Sequence, residues 1–210
     1  MKLVVVGAGG HGKVVLSTAL EAGYEVLAAL DDDPGKWGTD LLGVPIWGPI
    51  SSFRRFIEEG ARYVLAIGDN KLRKDLANRM SGVSWAILVH PRAYVHATAS
   101  LGEGTVVFAG AVVQPMARVG RHVILNTSSV VEHDCQIGDW VHLASGARLA
   151  GAAELGEGAF VGAGAVVIPG RRVGRWSVVG AGAVVVRDIP DLGVAYGVPA
   201  KVKRKILEGQ

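Results

Sequence analysis

The chain has 210 residues, half of them hydrophobic, with 30 glycines, one cysteine and a formal charge of only +3. That length suits one or two domains with a sizeable core, and the small charge excess, with no aromatics interleaved among the basic residues, argues against a nucleic-acid partner. A single cysteine permits no intrachain disulfide and fits a reducing cytoplasm, and no stretch approaches the roughly 20 apolar residues that span a bilayer.

The first residues, Met1 to Gly7, carry one charge and an apolar run too short for a secretory leader, so Leu3–Val6 reads as a strand buried on both faces. It runs into Gly7-Ala8-Gly9-Gly10-His11-Gly12 and a helical stretch to about Ala22, which is strand, glycine turn and helix. The turn matches G-x-G-x-x-G, and Asp31 follows a second apolar run, Val26–Leu30. Such a turn lets backbone N–H groups and a helix N-terminus approach a diphosphate, while an acid after the second strand can accept from a ribose hydroxyl. A turn serving only helix–strand packing is the plainer alternative, although it would not need the imidazole of His11. After a loop to Gly48 come a helix over Ser51–Glu59, a strand over Arg62–Ile67, Gly68-Asp69-Asn70, a helix over Lys71–Met80 and a strand over Ser84–Val89. These elements make half of a doubly wound fold, a Rossmann-like α/β domain over residues 1–90, suited to one nucleotide rather than to NAD.

From Val95 to Val185 a Val, Leu or Ile returns at every sixth position without a slip, and a mostly small residue such as Ala99, Ala111, Cys135 or Ala147 stands four places after it. A period of six fits neither a helix nor a two-sided sheet, so residues 91–210 read as an all-β parallel β-helix, a three-sided prism with one short strand and one corner per hexad. Glycine often follows the aliphatic residue, as in Leu101-Gly102, Ile137-Gly138 and Val161-Gly162, and is expected to turn the backbone at positive φ.

Of the six histidines, His90, His96 and His122 read as packing or surface residues. His133, two places after the aliphatic Val131 and between acidic neighbours, should point outward at a corner, where a carboxylate can hold its tautomer and raise its basicity as in a catalytic base. Cys135 occupies the inward small slot, where a thiol is buried and inert. Ser128, five residues before His133, leaves no histidine set for zinc, and no metal is expected.

The hexads resemble the left-handed β-helix of the hexapeptide-repeat acyltransferases. The whole chain, from Gly7-Ala8-Gly9-Gly10-His11-Gly12-Lys13-Val14 through Glu132-His133-Asp134-Cys135 to Tyr196-Gly197-Val198-Pro199-Ala200-Lys201, resembles bacterial sugar acetyltransferases of two sorts. These are the UDP-4-amino-sugar N-acetyltransferases of the bacillosamine and perosamine pathways and the sialic acid O-acetyltransferases. The resemblance implies acetyl-CoA as co-substrate, a UDP-amino-sugar as acceptor, no membrane or nucleic-acid partner, and a homotrimer. It implies His133 as general base with Asp134 beside it, and His142 meeting the thioester. Backbone at Gly151, Ala163 and Ala181 would line the pantetheine, and Gly9, Gly10, His11, Asp31, Asp32 and Gly68 would hold the UDP. His142 and His133 are expected on different sides of one prism, so a shared site would lie between subunits. Arg171, Arg172 and Arg175, with Lys201, Lys203, Arg204 and Lys205, either meet CoA phosphates or simply solubilise the end of the prism.

O-acetylation of a sialic acid, a non-catalytic sugar-nucleotide sensor and an NAD-linked oxidoreductase are the competing readings. Release of free thiol from acetyl-CoA separates the first from the second, and saturable NADH binding would identify the third.

Overall fold

The computed structural model describes residues 1–206, which form an α/β domain seated on one face of a β-helix. In the small domain, β1 (Lys2–Val6), β2 (Glu25–Leu30), β3 (Asp40–Leu41), β4 (Val44–Gly48), β5 (Arg62–Leu65) and β6 (Ser84–Trp85) form one sheet. Their order is β3-β4-β2-β1-β5-β6, parallel throughout except for the β3–β4 hairpin. Leu3–Val6 of central β1 are fully buried, and alternate residues serve opposite faces. Leu3 and Val5 pack with Val15, Leu16 and Ala19 of α1 (Gly10–Glu21), whereas Val4 and Val6 pack with Phe53, Phe56, Leu76 and Met80. Leu76 belongs to α2 (Asn70–Arg79).

Two boundaries differ from expectation. The helix expected over Ser51–Glu59 is a 3-10 helix over Ile50–Phe56, because its apolar residues Ile50, Phe53 and Phe56 recur every third residue, the period of that tighter coil. The strand expected over Ser84–Val89 divides in two. Ser84–Trp85 ends the small sheet, while Leu88–Val89 pairs with Val106–Val107 as the first strand of the prism, since Val89 is on the same six-residue beat as Val95.

Each coil of the prism stands on the one below in parallel register, 18 residues on, as in the ladder Val106, Ile124, His142, Phe160, Val178. Strands are two residues long, the first side chain outward and the second inward. The inward residues fill one continuous core with the small slot beside them, including Ala111, Cys135, Ala147 and Ala165.

Positive φ occurs three places after the aliphatic residue, at His122, Ser128, Asp134, Trp140, Ala152 and Trp176 and at Gly146, Gly164 and Gly182. The glycines directly after the aliphatic residue, such as Gly138 and Gly156, do not have it. They are small for another reason: a Cβ on Gly138 would lie 2.7 Å from Glu157 N, and one on Gly156 2.7 Å from Arg175 N, in the coil above. Close stacking of the coils, rather than left-handed backbone, requires those glycines.

The three outer faces differ chemically. The first, carrying Leu88, Val106, Ile124 and His142, is covered by the small domain and shares a core with α1 and β1. The second presents half-buried Val112, Val130, Val166 and Val184, with exposed Tyr94 and Arg148 in the same column. The third presents exposed Ser100, Arg118, Gln136, Glu154 and Arg172. An antiparallel hairpin, Gly193–Tyr196 with Lys201–Lys205, ends the first face.

Candidate functional site

His133 stands at the corner between the second and third faces, with its side chain 63% exposed. Its Nδ1 lies 2.9 Å from Asp134 Oδ2, and the left-handed backbone of Asp134 (φ 61°) folds that carboxylate beside the ring. A carboxylate only accepts, so Nδ1 carries the hydrogen and Nε2 keeps its lone pair for an incoming proton. Of the two acidic neighbours only Asp134 makes this contact. Gly151 sits directly above in the next coil, where an added Cβ would lie 2.6 Å from both Cε1 and Nε2. Gly151→Ala should therefore displace the ring without disturbing the core. The expected result is turnover reduced by roughly 10²-fold with an unchanged melting temperature; steady-state kinetics beside a thermal melt checks it.

The glycine turn divides its labour. Gly7 takes φ +109°, and a Cβ on Gly12 would strike Gly7 O at 2.5 Å, so these two serve the strand–helix packing. Cβ atoms on Gly9, Gly10 or Gly68 would meet nothing within 4 Å, so backbone at the C-terminal ends of β1 and β5 lies open. Asp31 is engaged within the chain. Its carboxylate accepts from Ala8 N at 2.7 Å, from Asp33 N at 3.0 Å and from Lys36 Nζ at 3.1 Å. Burial pushes its pKa up, but these hydrogen bonds and the Lys36 charge outweigh that and hold it below the usual carboxylate range. These contacts brace the glycine turn. Asp32 accepts from Ile50 N at 2.8 Å and opens onto a cleft of about 320 Å³ between the 3-10 helix and α2.

Where the small domain meets the first face, a second polar cluster is almost dry. The ring of His11 turns towards the prism, edge-on to Phe108 at 5.5 Å and 6.2 Å from His142, with its Nε2 buried and without a partner among the described residues. His142 is only 8% exposed. Its Nδ1 lies 3.2 Å from Gly68 O and its Nε2 3.2 Å from Asn126 Nδ2. Both nitrogens thus lie within hydrogen-bonding distance of groups of the same chain, and Asn126 links the ring towards the outer corner.

Arg73 ties this junction together. It donates to His122 O (3.0 Å), Ile67 O (3.0 Å), Trp140 O (2.8 Å) and Asn70 Oδ1 (2.8 Å), while Asn70 Nδ2 donates to Gly158 O (3.0 Å). Asp69 caps α2 by accepting from Leu72 N at 2.7 Å. His122 stacks on Trp140 at 4.4 Å, and His90 accepts from Arg92 N at 3.0 Å, both structural duties. Neither Arg73 nor Asn126 stood out in the sequence.

Burial, reinforced by the Arg73 charge, lowers His11 to about 4, and His142 to about 4 against the opposing pull of its Gly68 hydrogen bond. Burial followed by Arg121 and Arg73 lowers His122 to about 3. All three bind protons more readily unfolded than folded. Their contribution to stability is therefore full above about pH 6.5 and is lost as pH falls towards 4. The melting temperature should drop by several degrees between pH 7 and pH 4.5; a flat profile would show that these rings reach water.

Cys135 is buried, donates to Ala150 O at 3.3 Å, and has its pKa raised chiefly by burial, which makes it unreactive. Among the described residues no group of three or more His, Cys, Asp or Glu could hold a metal ion, and no helix is long and apolar enough to cross a membrane. Arg171, Arg172 and Arg175 face Asp188, Asp191 and Glu157 at 3.6, 3.8 and 3.0 Å. The strand Lys201–Lys205 is exposed.

Ala163 and Ala181 lie one above the other at the corner between the first and second faces, joined by Gly182 N to Ala163 O at 2.8 Å. That is the corner of Asn126, one face away from His133 and Gly151. Within one chain the expected residues thus fall on two separate corners.

Residues 2–80 match the PglD N-terminal domain, and residues 152–187 match the bacterial transferase hexapeptide (six repeats). The chain is 44% identical over 114 residues to the UDP-N-acetylbacillosamine N-acetyltransferase of Bacillus subtilis (strain 168), a stretch that spans 51% of this chain and about half (51%) of that protein. It superposes on GDP-perosamine N-acetyltransferase of Caulobacter crescentus, a variant solved with CoA and GDP-perosamine, with TM-score 0.92, 42% identity and 98% of each chain covered. The acetyltransferase domain of PglB from Neisseria gonorrhoeae, solved with acetyl coenzyme A, gives TM-score 0.91 at 38% identity, over 96% of this chain and 98% of that one. With an open glycine turn on an α/β half, an outward histidine–carboxylate pair on a prism, and relatives matching along its length, the chain belongs to the hexapeptide-repeat nucleotide-amino-sugar N-acetyltransferases with a PglD-type N-terminal domain.

Proposed function

We propose that the protein moves an acetyl group from acetyl-CoA to the amine of a nucleotide-linked amino sugar, and that the sugar is a UDP-linked 4-amino-sugar. The observation that carries the chemistry is His133, whose Nδ1 is bound to Asp134 and whose Nε2 is free at an exposed corner. Nε2 takes a proton from the sugar amine as its nitrogen attacks the thioester carbonyl. A C–N bond forms, the tetrahedral adduct collapses with loss of the C–S bond, and the departing sulfur takes the proton from Nε2 to leave as CoA thiol. The open backbone at Gly9, Gly10 and Gly68 suits a diphosphate at the N-terminus of α1.

The working unit of this proposal is a homotrimer. The half-buried valines of the second face, interrupted by exposed Arg148, offer a surface for a neighbouring copy, and a groove between copies would bring the corner of His133 and Gly151 against the corner of Ala163 and Ala181. A reducing cytoplasm would be its compartment.

The test is thiol release from acetyl-CoA in the presence of UDP-4-amino-sugars, GDP-perosamine, CMP-sialic acid and free sialic acid. CoA release with a UDP-linked amino sugar, and with neither sialic acid, is the expected result. Preference for GDP-perosamine would overturn the UDP assignment, and release only with sialic acid would overturn amine transfer. The relatives pull in both directions, since one carries a UDP-sugar name and another was solved with GDP-perosamine.

A further inference from the structure

Helix α2 lies along the corner between the third and first faces. There His122, Trp140, Gly158 and Trp176 stand one above another, joined by Trp140 N to Arg121 O (2.9 Å), Gly158 N to Asp139 O (2.8 Å) and Trp176 N to Glu157 O (2.8 Å). The helix reaches every one of these levels. Arg73 donates to His122 O and Trp140 O, and Asn70 donates to Gly158 O. Lys74 Nζ lies 2.6 Å from Glu157 Oε1 and 5.3 Å from the centre of the Trp176 ring.

Asn70 opens this helix, and its amide has a fixed orientation. A guanidinium can only donate, so the atom that Arg73 meets at 2.8 Å is Oδ1, and the other branch is the NH2 group. That group donates to two prism carbonyls, Gly158 O at 3.0 Å and Ala159 O at 3.3 Å. Both branches are engaged within the chain and the residue is only 9% exposed, so what Asn70 governs is the position of the backbone before it. That backbone includes Gly68, which is open to a ligand and follows β5, the neighbour of β1 and its glycine turn. Gly68 O also lies 3.2 Å from His142 Nδ1, a second tie to the prism. His142 is half an 18-residue coil from His133, about 2.4 Å along the prism axis at about 4.8 Å per coil. The loop over residues 67–70 is therefore pinned near the level of His133. Copies related by a symmetry axis parallel to their prisms meet level with level, so in the trimer proposed above this loop offers a bound sugar at the height of the base. A slip of one coil would misplace the amine by about 4.8 Å, where even about 1 Å can cost 10²-fold in rate.

We infer that Asn70 is a positioning residue for the transfer: by tying the loop over residues 67–70 to Gly158 and Ala159, it sets the level at which a nucleotide-linked amine meets His133. Lys74, bound to Glu157, is a second tie on the same helix. This rests on the acetyl-transfer reading. It assigns acceptor alignment to a fixed joint between the domains, and it separates holding the nucleotide, a task of the small domain, from aiming the sugar, a task of the joint.

The test compares two acceptors, the nucleotide-linked amino sugar that the wild type accepts best and the same amino sugar free of nucleotide, which reaches His133 untethered. Asn70→Asp keeps the acceptor for Arg73 but turns an oxygen onto Gly158 O and Ala159 O, and Asn70→Ala removes both contacts. Each should lower kcat for the nucleotide-linked acceptor by roughly 10- to 10²-fold. The affinity for the free nucleoside diphosphate, measured by calorimetry, and kcat/KM for the free sugar should both stay within about twofold of wild type, because neither depends on the joint. Lys74→Met, which leaves the amide intact, should show the same selective loss in weaker form. A kcat within threefold of wild type in both Asn70 variants overturns the proposal. So does an equal loss with both acceptors, the mark of a merely structural asparagine, or a loss of nucleotide affinity with kcat unchanged, the mark of a binding residue. If the wild-type protein releases no CoA with any amino sugar, the transfer reading itself is overturned and this proposal with it, an outcome distinct from the other three.

Discussion

His133→Ala should lower kcat by roughly 10²- to 10⁴-fold, the contribution of a positioned general base, while the affinity for CoA and the melting temperature stay near wild type. The fold should not notice the change, because the side chain is exposed and, among the described residues, hydrogen-bonds to Asp134 alone. Asp134→Asn refines the test. Asparagine tolerates the φ of 61° at that corner, yet its amide can turn a donor towards Nδ1 and favour the wrong tautomer. A smaller loss, roughly 10- to 10²-fold, is expected. Pre-steady-state mixing that follows thiol release would locate both effects in the chemical step, and turnover by His133→Ala within threefold of wild type would remove the imidazole from the mechanism.

The largest effect on stability is expected at Arg73. Its side chain is 1% exposed, and its guanidinium is compensated by carbonyls and one amide instead of by a carboxylate. Burial lowers its pKa to about 9 despite the opposing influence of Asp69. Arg73→Met fills much of the space and removes every donor, leaving the carbonyls of Ile67, His122 and Trp140 short of partners in a dry junction. At about 1–3 kcal/mol for each of the three orphaned carbonyls the cost is roughly 3–9 kcal/mol, a large share of the stability of an ordinary domain. For a chain of this size that means a melting temperature lower by about 10 °C or more. Thermal and urea unfolding would measure it. A drop under about 3 °C would mean that water satisfies the junction after the substitution. Arg73→Lys should recover little, because one ammonium cannot reach carbonyls on both domains.

Much of the architecture was legible because it is periodic. The six-residue beat located the inward row, placed Cys135 in the core and put His133 at an outer corner, since each position in a repeat has only one environment. The strand–turn–helix opening was legible in the same way. What escaped was fixed by contacts between distant segments. Arg73 lies between Leu72 and Lys74 in a helix with polar residues on most sides and reads as solvated, yet its partners His122 and Trp140 are 49 and 67 residues away. His11 suggested a ligand by its place in the turn, and only the docking of the small domain against Phe108 shows that the ring faces the prism. Asn126 looked like an ordinary corner residue until His142 was seen beside it. The glycines after the aliphatic residues were noticed for the wrong property, because the clearance they provide depends on the coil above rather than on their own neighbours in sequence.

The stacking of partners 18 residues apart, as with Val106 and Ile124, also constrains how such a chain can change over generations. Loss of one residue inside a strand would send every later aliphatic side chain into solvent and bring every polar one inward, a fault that grows with distance from the lesion. Viable length variants must therefore add or remove a whole turn, or bulge out where two faces meet, and lineages of this kind should differ in steps of 18 or in loops at the edges.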